Sequence, residues 1–208
     1  MSDKTYLRLM DGEFGFVENL TVVFALGAVI TGIFILKNRN NFPFPTFRFY
    51  IWLIILGCIY IAGEEISWGQ HYFGWEASDS IAAINRQNET NLHNIHKIFG
   101  VVPKIFLEWT IYMTGVFSLV RLCQGTAPYH PGHHWQFWYL PTHVVILTSI
   151  LTFIYRIIDR IENWFHLDFL IDPDEMHECL LSLFLVLYML SIYRRLNFQP
   201  EELLAARA

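Results

Sequence analysis

Residues 17–36 read VENLTVVFALGAVITGIFIL, a run in which Glu18 is the only charged side chain. The hydrocarbon core of a membrane is about 30 Å thick and is crossed by about 20 mostly apolar helical residues. The run therefore predicts a transmembrane helix. Asp3, Asp11 and Glu13 precede it, where a secretory signal peptide would be basic, so we expect the run to remain as a membrane span.

Four further apolar stretches lie at 49–68, 101–120, 135–155 and 177–193. With the first run they predict an all-α protein, a polytopic membrane helical bundle of about five transmembrane helices. An interfacial helix or loop is expected between the second and third spans. Because the chain has no internal repeat and mostly short connections, residues 1–208 are predicted to form a single integral membrane domain.

The composition favours the membrane class and excludes others. The chain is 54% hydrophobic and only 16% charged, which is too little charge for an ordinary soluble surface. Its net charge of −5 is the wrong balance for a nucleic-acid backbone, so no nucleic-acid partner is expected. The expected partners are membrane lipid and, if the chain is a subunit, other membrane proteins.

Basic residues near the span ends predict the orientation. Lys37, Arg39 and Arg48 lie between the first two spans, and Arg194 and Arg195 follow the fifth. Basic connections stay in the cytoplasm. We therefore expect both of these segments at one membrane face, with the C-terminus in the cytoplasm and the N-terminus outside.

Two of the spans are too short to keep their acidic residues out of the membrane. Only fifteen uncharged residues separate Arg48 from Glu64, and they cover roughly 22 Å of a core about 30 Å thick. Glu64 and Glu65 are therefore expected inside the hydrocarbon region, and the same arithmetic places His177 and Glu178 there. Intramembrane charges normally pair with each other or serve a function.

Helical spacing separates paired charges from candidate functional ones. Lys104 and Glu108 are one helical turn apart, as are Arg156 and Asp159, so each pair is predicted to form a structural ion pair. The three glutamates of the short spans have no basic residue at helical spacing. For them a binding or catalytic role is the favoured interpretation.

The stretch GEEISWGQH at 63–71 combines a carboxylate, a hydroxyl and an imidazole. If the helix continues through it, Glu64, Ser67 and His71 lie on one face. A second stretch, NETNLHNIH at 88–96, places Glu89, His93 and His96 on one helical stripe in the same way. Both stretches are predicted at the same membrane face as His177.

Imidazole and carboxylate together are the ligands of zinc and non-haem iron. The sequence therefore predicts a buried Glu/His site that binds Zn or Fe near one membrane face. Its candidate residues are Glu64, His93, His96 and His177 as metal ligands, Glu65, Glu89 and Ser67 as catalytic groups, and Trp68, Gln70 and Asn91 as substrate-binding groups.

The leading functional hypothesis is a metal-dependent hydrolase of a lipid-phase substrate. In it the metal activates water, Glu65 or Glu89 is the general base, and Ser67, Gln70 and Asn91 orient the substrate. Two alternatives remain open. One is a non-catalytic accessory subunit of a larger membrane complex, and the other is a proton or ion path that uses the same carboxylates.

The motifs EEISWGQ at 64–70 and NETNLHN at 88–94 resemble a pattern of uncharacterised bacterial multi-pass membrane proteins. This resemblance implies a bacterial inner-membrane protein and no particular activity. The intramembrane acid, serine and histidines are also loosely similar to those of alkaline ceramidase-like membrane hydrolases, which implies a zinc amidase acting on lipids. The chain departs from that family in having five predicted spans instead of seven and no His-x-x-x-His in the last span.

Overall fold

The computed structural model describes residues 15–38, 42–75, 97–125, 135–166 and 172–197. Within these ranges every regular element is helical, which confirms the predicted all-α class. The helices are α1 (Phe16–Lys37), α2 (Phe47–Glu65), α3 (Gln70–Phe73), α4 (Lys97–Cys123), α5 (Trp135–Tyr139), α6 (Ile146–Phe165) and α7 (Pro173–Asn197). Two 3₁₀ turns, Ser67–Gly69 and His143–Val145, precede α3 and α6.

Four of the helices in the described ranges are long and apolar enough to cross a membrane. They are α1, α2, α7 and the segment Val101–Cys123 of α4. Their outward faces carry large exposed apolar side chains such as Ile30, Leu53 and Phe106. Large apolar faces of this kind are unfavourable in water and favourable in contact with lipid. The protein is therefore an integral membrane helical bundle.

The fourth predicted span, 135–155, is wrong in its bounds. The helix α5 ends at Tyr139 and α6 begins only at Ile146. Pro141 explains this break, because proline lacks the backbone N–H and disfavours the helical conformation of the residue before it. The second half of α6 carries Arg156 and Asp159, so α6 is not among the four apolar spans. It packs against α4 and α7 instead.

The helix α7 lies at the centre of the bundle and contacts α1, α4 and α6, while α2 packs on α1. The inward face of α1 is built from small residues, including Ala25, Ala28 and Gly32. A Cβ atom on Gly32 would lie 2.5 Å from Ile55 Cγ1 and 2.8 Å from Met189 Cε. Small residues allow helices to approach this closely in lipid, where packing replaces the hydrophobic effect.

The end of α1, the start of α2 and the end of α7 lie together at one end of the bundle. The Asn38 side-chain amide donates a hydrogen bond to Asn197 Oδ1, and the hydroxyls of Tyr50 and Tyr188 lie 2.6 Å apart. These contacts place the end of α1, the start of α2 and the end of α7 at one end of the bundle, as expected of segments that share a membrane face. We call this the basic end; its charged residues in the described ranges are Lys37, Arg48, Arg121, Arg194 and Arg195. We call the opposite end the acidic end.

Candidate functional site

The helix α2 ends at Glu65, so the condition under which Glu64, Ser67 and His71 would share a face, a helix that continues through Ser67, is not met. Ser67, Trp68 and Gly69 have φ angles of 45°, 55° and 94°. Such left-handed conformations cost on the order of 1–3 kcal/mol at a non-glycine residue. The helical face that would have aligned Glu64, Ser67 and His71 is therefore not formed.

A specific contact stabilises this helix end. The indole Nε1 of Trp68 donates a hydrogen bond to Glu64 Oε1 at 2.7 Å. The indole ring lies so close to Gly63 that a Cβ atom there would be 2.9 Å from it. Glu64 is only 7% exposed, so the Trp68 N–H satisfies a buried carboxylate. Ser67, the predicted catalytic hydroxyl, is buried beside it.

Glu65, the residue after Glu64, lines a small open cleft. The cleft is lined by Glu18, Asn19, Val22, Glu65, Ile66 and Tyr72. Glu65 is also within electrostatic range of Glu178 and Lys104. The cleft therefore lies at the acidic end, beside the first turns of α7. Gln70, predicted to bind substrate, is half-buried at the start of α3.

Four of the predicted site residues, Glu89, Asn91, His93 and His96, lie outside the described residues. The metal site that would join Glu64 to these histidines therefore stays a prediction. In the ranges that the structure does describe, no group of three or more His, Cys, Asp or Glu side chains is arranged to hold a metal ion.

Seven of the described ionisable residues form a charged cluster at the acidic end, where α4, α6 and α7 meet. Its members are Lys104 and Glu108 on α4, Arg156 and Asp159 on α6, and Asp174, His177 and Glu178 on α7. The cluster contains His177, which the sequence assigned to a metal site.

Lys104 joins α4 to α7. Its Nζ atom lies 2.6 Å from Asp174 Oδ1 and 2.8 Å from Glu178 Oε1. The expected pairing with Glu108 on the same helix is therefore replaced by an interhelical one. Glu178, for which the sequence favoured a functional role, has a structural partner.

Arg156 lies between carboxylates of three helices. Its Nη1 atom is 3.1 Å from Asp159 Oδ2, which confirms the predicted pair within α6. The guanidinium is also 3.4 Å from Glu108 Oε1 on α4 and 3.5 Å from Asp174 Oδ1 on α7. One cation thus holds together the ends of three helices.

Glu108 and His177 form the most deeply buried part of the charged cluster, with exposed fractions of 6% and 0%. His177 Nε2 lies 3.3 Å from the Tyr112 hydroxyl and 3.8 Å from Glu108 Oε1. Within the described part of the chain, neither Glu108 Oε1 nor His177 Nδ1 has a hydrogen-bond partner. Buried polar atoms without partners are rare and call for an explanation.

The sequence analysis missed Tyr112 and Asp174. Helical spacing is a signal that could have found both, because Tyr112 follows Glu108 by four residues and Asp174 precedes His177 by three. Each pair lies on one helical face. A search for partners around every buried histidine, instead of around the glutamate-rich motif alone, would have included them.

The contacts of the charged cluster leave an excess of negative charge. The groups in contact are two cations, Lys104 and Arg156, and four carboxylates, Glu108, Asp159, Asp174 and Glu178. In a medium of low dielectric constant such an excess favours the uptake of protons. The cluster can therefore bind and exchange protons.

Function has to be argued from this site alone. Comparisons of the chain with protein-family models, with curated proteins and with solved structures found no match.

Proposed function

We propose that the protein provides a proton path in the membrane, with Glu108 and His177 as its proton-binding pair. The observation that carries this proposal is the contact between two buried ionisable groups: Glu108 Oε1 faces His177 Nε2 at 3.8 Å and is held by the Arg156 guanidinium at 3.4 Å, without a hydrogen bond among the described residues. Ionisable residues inside a membrane bundle are costly to keep and typically serve function. Imidazole and carboxyl groups are the side chains that exchange protons most readily.

The proton transfer itself involves two atoms. The Glu108 carboxyl releases a proton to His177 Nε2, and the Glu108 carboxylate that remains is stabilised by Arg156 at 3.4 Å. The His177 ring then carries a hydrogen on each nitrogen and is an imidazolium. Transfer of the Nδ1 proton to a water molecule then moves one proton across the ring and leaves a neutral imidazole with its hydrogen on Nε2. A small side-chain movement or one bridging water closes the 3.8 Å separation.

The cleft at Glu65 supplies the entrance to the path. It is open at the acidic end, and Glu65 is within electrostatic range of Glu178 and Lys104 of the charged cluster. Protons that reach Glu65 from water are thus already beside the cluster. This gives the predicted catalytic residue Glu65 a role as a proton acceptor.

The metal-dependent hydrolase has less support from the described residues. His177 is the only predicted metal ligand in the charged cluster, and the described residues include no group of three His, Cys, Asp or Glu side chains arranged to hold a metal ion. Glu64, the other described candidate ligand, already accepts the indole hydrogen bond of Trp68. The Zn or Fe site therefore depends on His93 and His96 and stays a prediction.

The proposal includes an orientation. The basic end carries the basic residues that remain in the cytoplasm according to the positive-inside rule. We therefore place the protein in a bacterial inner membrane with the N-terminus and the acidic end outside and the C-terminus in the cytoplasm. The path then opens to the outside.

The test is proton uptake by vesicles that contain the purified protein and a trapped pH-sensitive dye, with a potassium diffusion potential as the driving force. Wild type is expected to acidify the vesicles faster than protein-free vesicles do. Glu108→Gln keeps the side-chain shape but binds no exchangeable carboxyl proton, so its rate is expected to fall to the protein-free level. Glu108→Asp, which restores a carboxyl group, is expected to recover part of the rate.

Ser182→Ala is the matched control, because Ser182 is a buried polar residue of α7 that does not titrate. It is expected to retain the wild-type rate, and a metal chelator is expected to leave that rate unchanged. Wild-type uptake no faster than that of protein-free vesicles would contradict the proposal and favour the accessory-subunit alternative. A rate abolished by the chelator would favour the metal site.

A further inference from the structure

The described charged residues of the basic end all have the same sign. All charged side chains that the structure describes there are cations: Lys37, Arg48, Arg121, Arg194 and Arg195. The described carboxylates all lie in the other half of the bundle, toward the start of α1, α4 and α7 and the end of α2 and α6. Among the residues that the structure describes, this end therefore carries positive charge and no carboxylate.

Arg195, a partly buried cation of this end, is held by backbone carbonyl groups and by no carboxylate of the described residues. Its Nε atom donates to the Ser191 carbonyl at 3.2 Å and its Nη1 atom to the Leu140 carbonyl at 3.1 Å. Its Nη2 atom is buried without a hydrogen-bond partner in the part of the chain that the structure describes. Arg195 therefore caps the end of α5 and adds its charge to the surface.

Three of the other cations are available to an outside ligand. Lys37, Arg48 and Arg194 are exposed and form no ion pair within the described ranges. The contact between the Asn38 and Asn197 side chains brings the ends of α1 and α7 together, so that Lys37 and Arg194 flank one junction. Cations from two helices can therefore reach a single anionic group.

Exposed aromatic residues place these cations at the depth of lipid headgroups. Phe49 and Trp52 on α2 are exposed close to Arg48 in sequence, and Trp135 is exposed at the start of α5, the helix whose end Arg195 caps. Aromatic side chains of this kind collect where the hydrocarbon core meets the headgroups. The phosphates of the same leaflet then lie within reach of the basic side chains.

We infer that the basic end is a binding surface for anionic phospholipids, whose headgroup phosphates are held by Arg48, Arg194 and Lys37. Arginine binds phosphate groups well because its guanidinium can donate two parallel hydrogen bonds to two phosphate oxygens. This surface is separate from the proton path at the acidic end, and neither depends on the other.

The experiment measures the thermal unfolding midpoint of the detergent-purified protein with added phosphatidylglycerol or phosphatidylcholine. Phosphatidylglycerol is expected to raise the midpoint of wild type more than phosphatidylcholine does, since a ligand of the folded state stabilises it. The double variant Arg48→Gln/Arg194→Gln is expected to lose this difference. Soluble glycerol phosphate at the same concentration is expected to give no shift, which separates a lipid from a free phosphate.

Arg160→Gln is the matched control, because Arg160 is an exposed arginine of α6 at the acidic end. It is expected to keep the full response to phosphatidylglycerol. Equal midpoints with the two lipids, or an equal loss of response in Arg160→Gln and the double variant, would overturn the inference. The midpoint of each variant without lipid shows whether it folds.

Discussion

At the scale of single residues, Trp68 links the end of α2 to a buried charge. Its backbone is left-handed, and its indole N–H is bonded to Glu64. The bond to a carboxylate offsets part of the backbone strain, since hydrogen bonds to charged groups are among the stronger ones. The helix end and the satisfied carboxylate thus depend on one side chain.

Trp68→Phe tests this link. The substitution keeps an aromatic ring against Gly63 but removes the N–H donor, so we expect a loss of about 2 kcal/mol in unfolding free energy. Denaturant unfolding in detergent measures it. Trp109→Phe is the control, because Trp109 lies on the lipid-facing side of α4 and is 63% exposed. Equal stability of the two variants would show that the Glu64–Trp68 bond contributes nothing.

The sequence predicted which ionisable residues lie inside the bundle, but not the contacts that they make there. Span length predicted that Glu64 and His177 lie inside the membrane, where charged groups normally turn inward, and both side chains are buried in the bundle. The partner of Glu64 could not be predicted, because left-handed φ angles at Ser67 and Trp68 are not signalled by a local pattern. The contact between Glu108 and His177 joins two helices distant in sequence, and helical spacing carries no information on such contacts.

At the scale of the helices, small residues set the packing of α1 against α2 and α7. Gly32 is the point of closest approach, because Ile55 and Met189 both occupy the space that a Cβ atom would need. Side chains in such an interface have little room to move, so added volume is converted into strain.

Gly32→Ala is therefore expected to lower the unfolding free energy by about 2 kcal/mol, the usual cost of overpacking. Gly57→Ala on α2 is the matched control, since nothing lies within 4 Å of the position of its Cβ atom. There alanine removes only the poor helix propensity of glycine, and stability should be unchanged or higher. Denaturant titration of both variants measures the two unfolding free energies. A Gly32→Ala variant as stable as Gly57→Ala would contradict the described packing.

Helix positions were predictable where hydropathy alone decides them. The helices α1, α2, α4 and α7 contain most of the predicted first, second, third and fifth spans. The fourth span failed because Pro141 interrupts an apolar run whose composition continues past it. The helix α6 then takes its position from charged contacts with α4 and α7, which hydropathy does not register.

At the scale of the whole molecule, charge is sorted between the two ends of the bundle. The acidic end holds the charged cluster and the cleft at Glu65, and the basic end holds Arg48 and Arg194, which form no ion pair in the described part of the chain. Low overall charge identified the membrane class from composition. The sorting of that charge is the basis of the proposed orientation, proton path and lipid surface, each with its own test.

Infrared difference spectroscopy of the purified protein tests the central claim most directly, because it observes the carboxyl proton itself. On a change of pH, wild type is expected to show a carboxyl C=O band that shifts in heavy water, and Glu108→Gln is expected to lack that band. Ser182→Ala should keep it. An unchanged carboxyl band in Glu108→Gln would contradict the assignment of Glu108 as a proton-binding residue of the path.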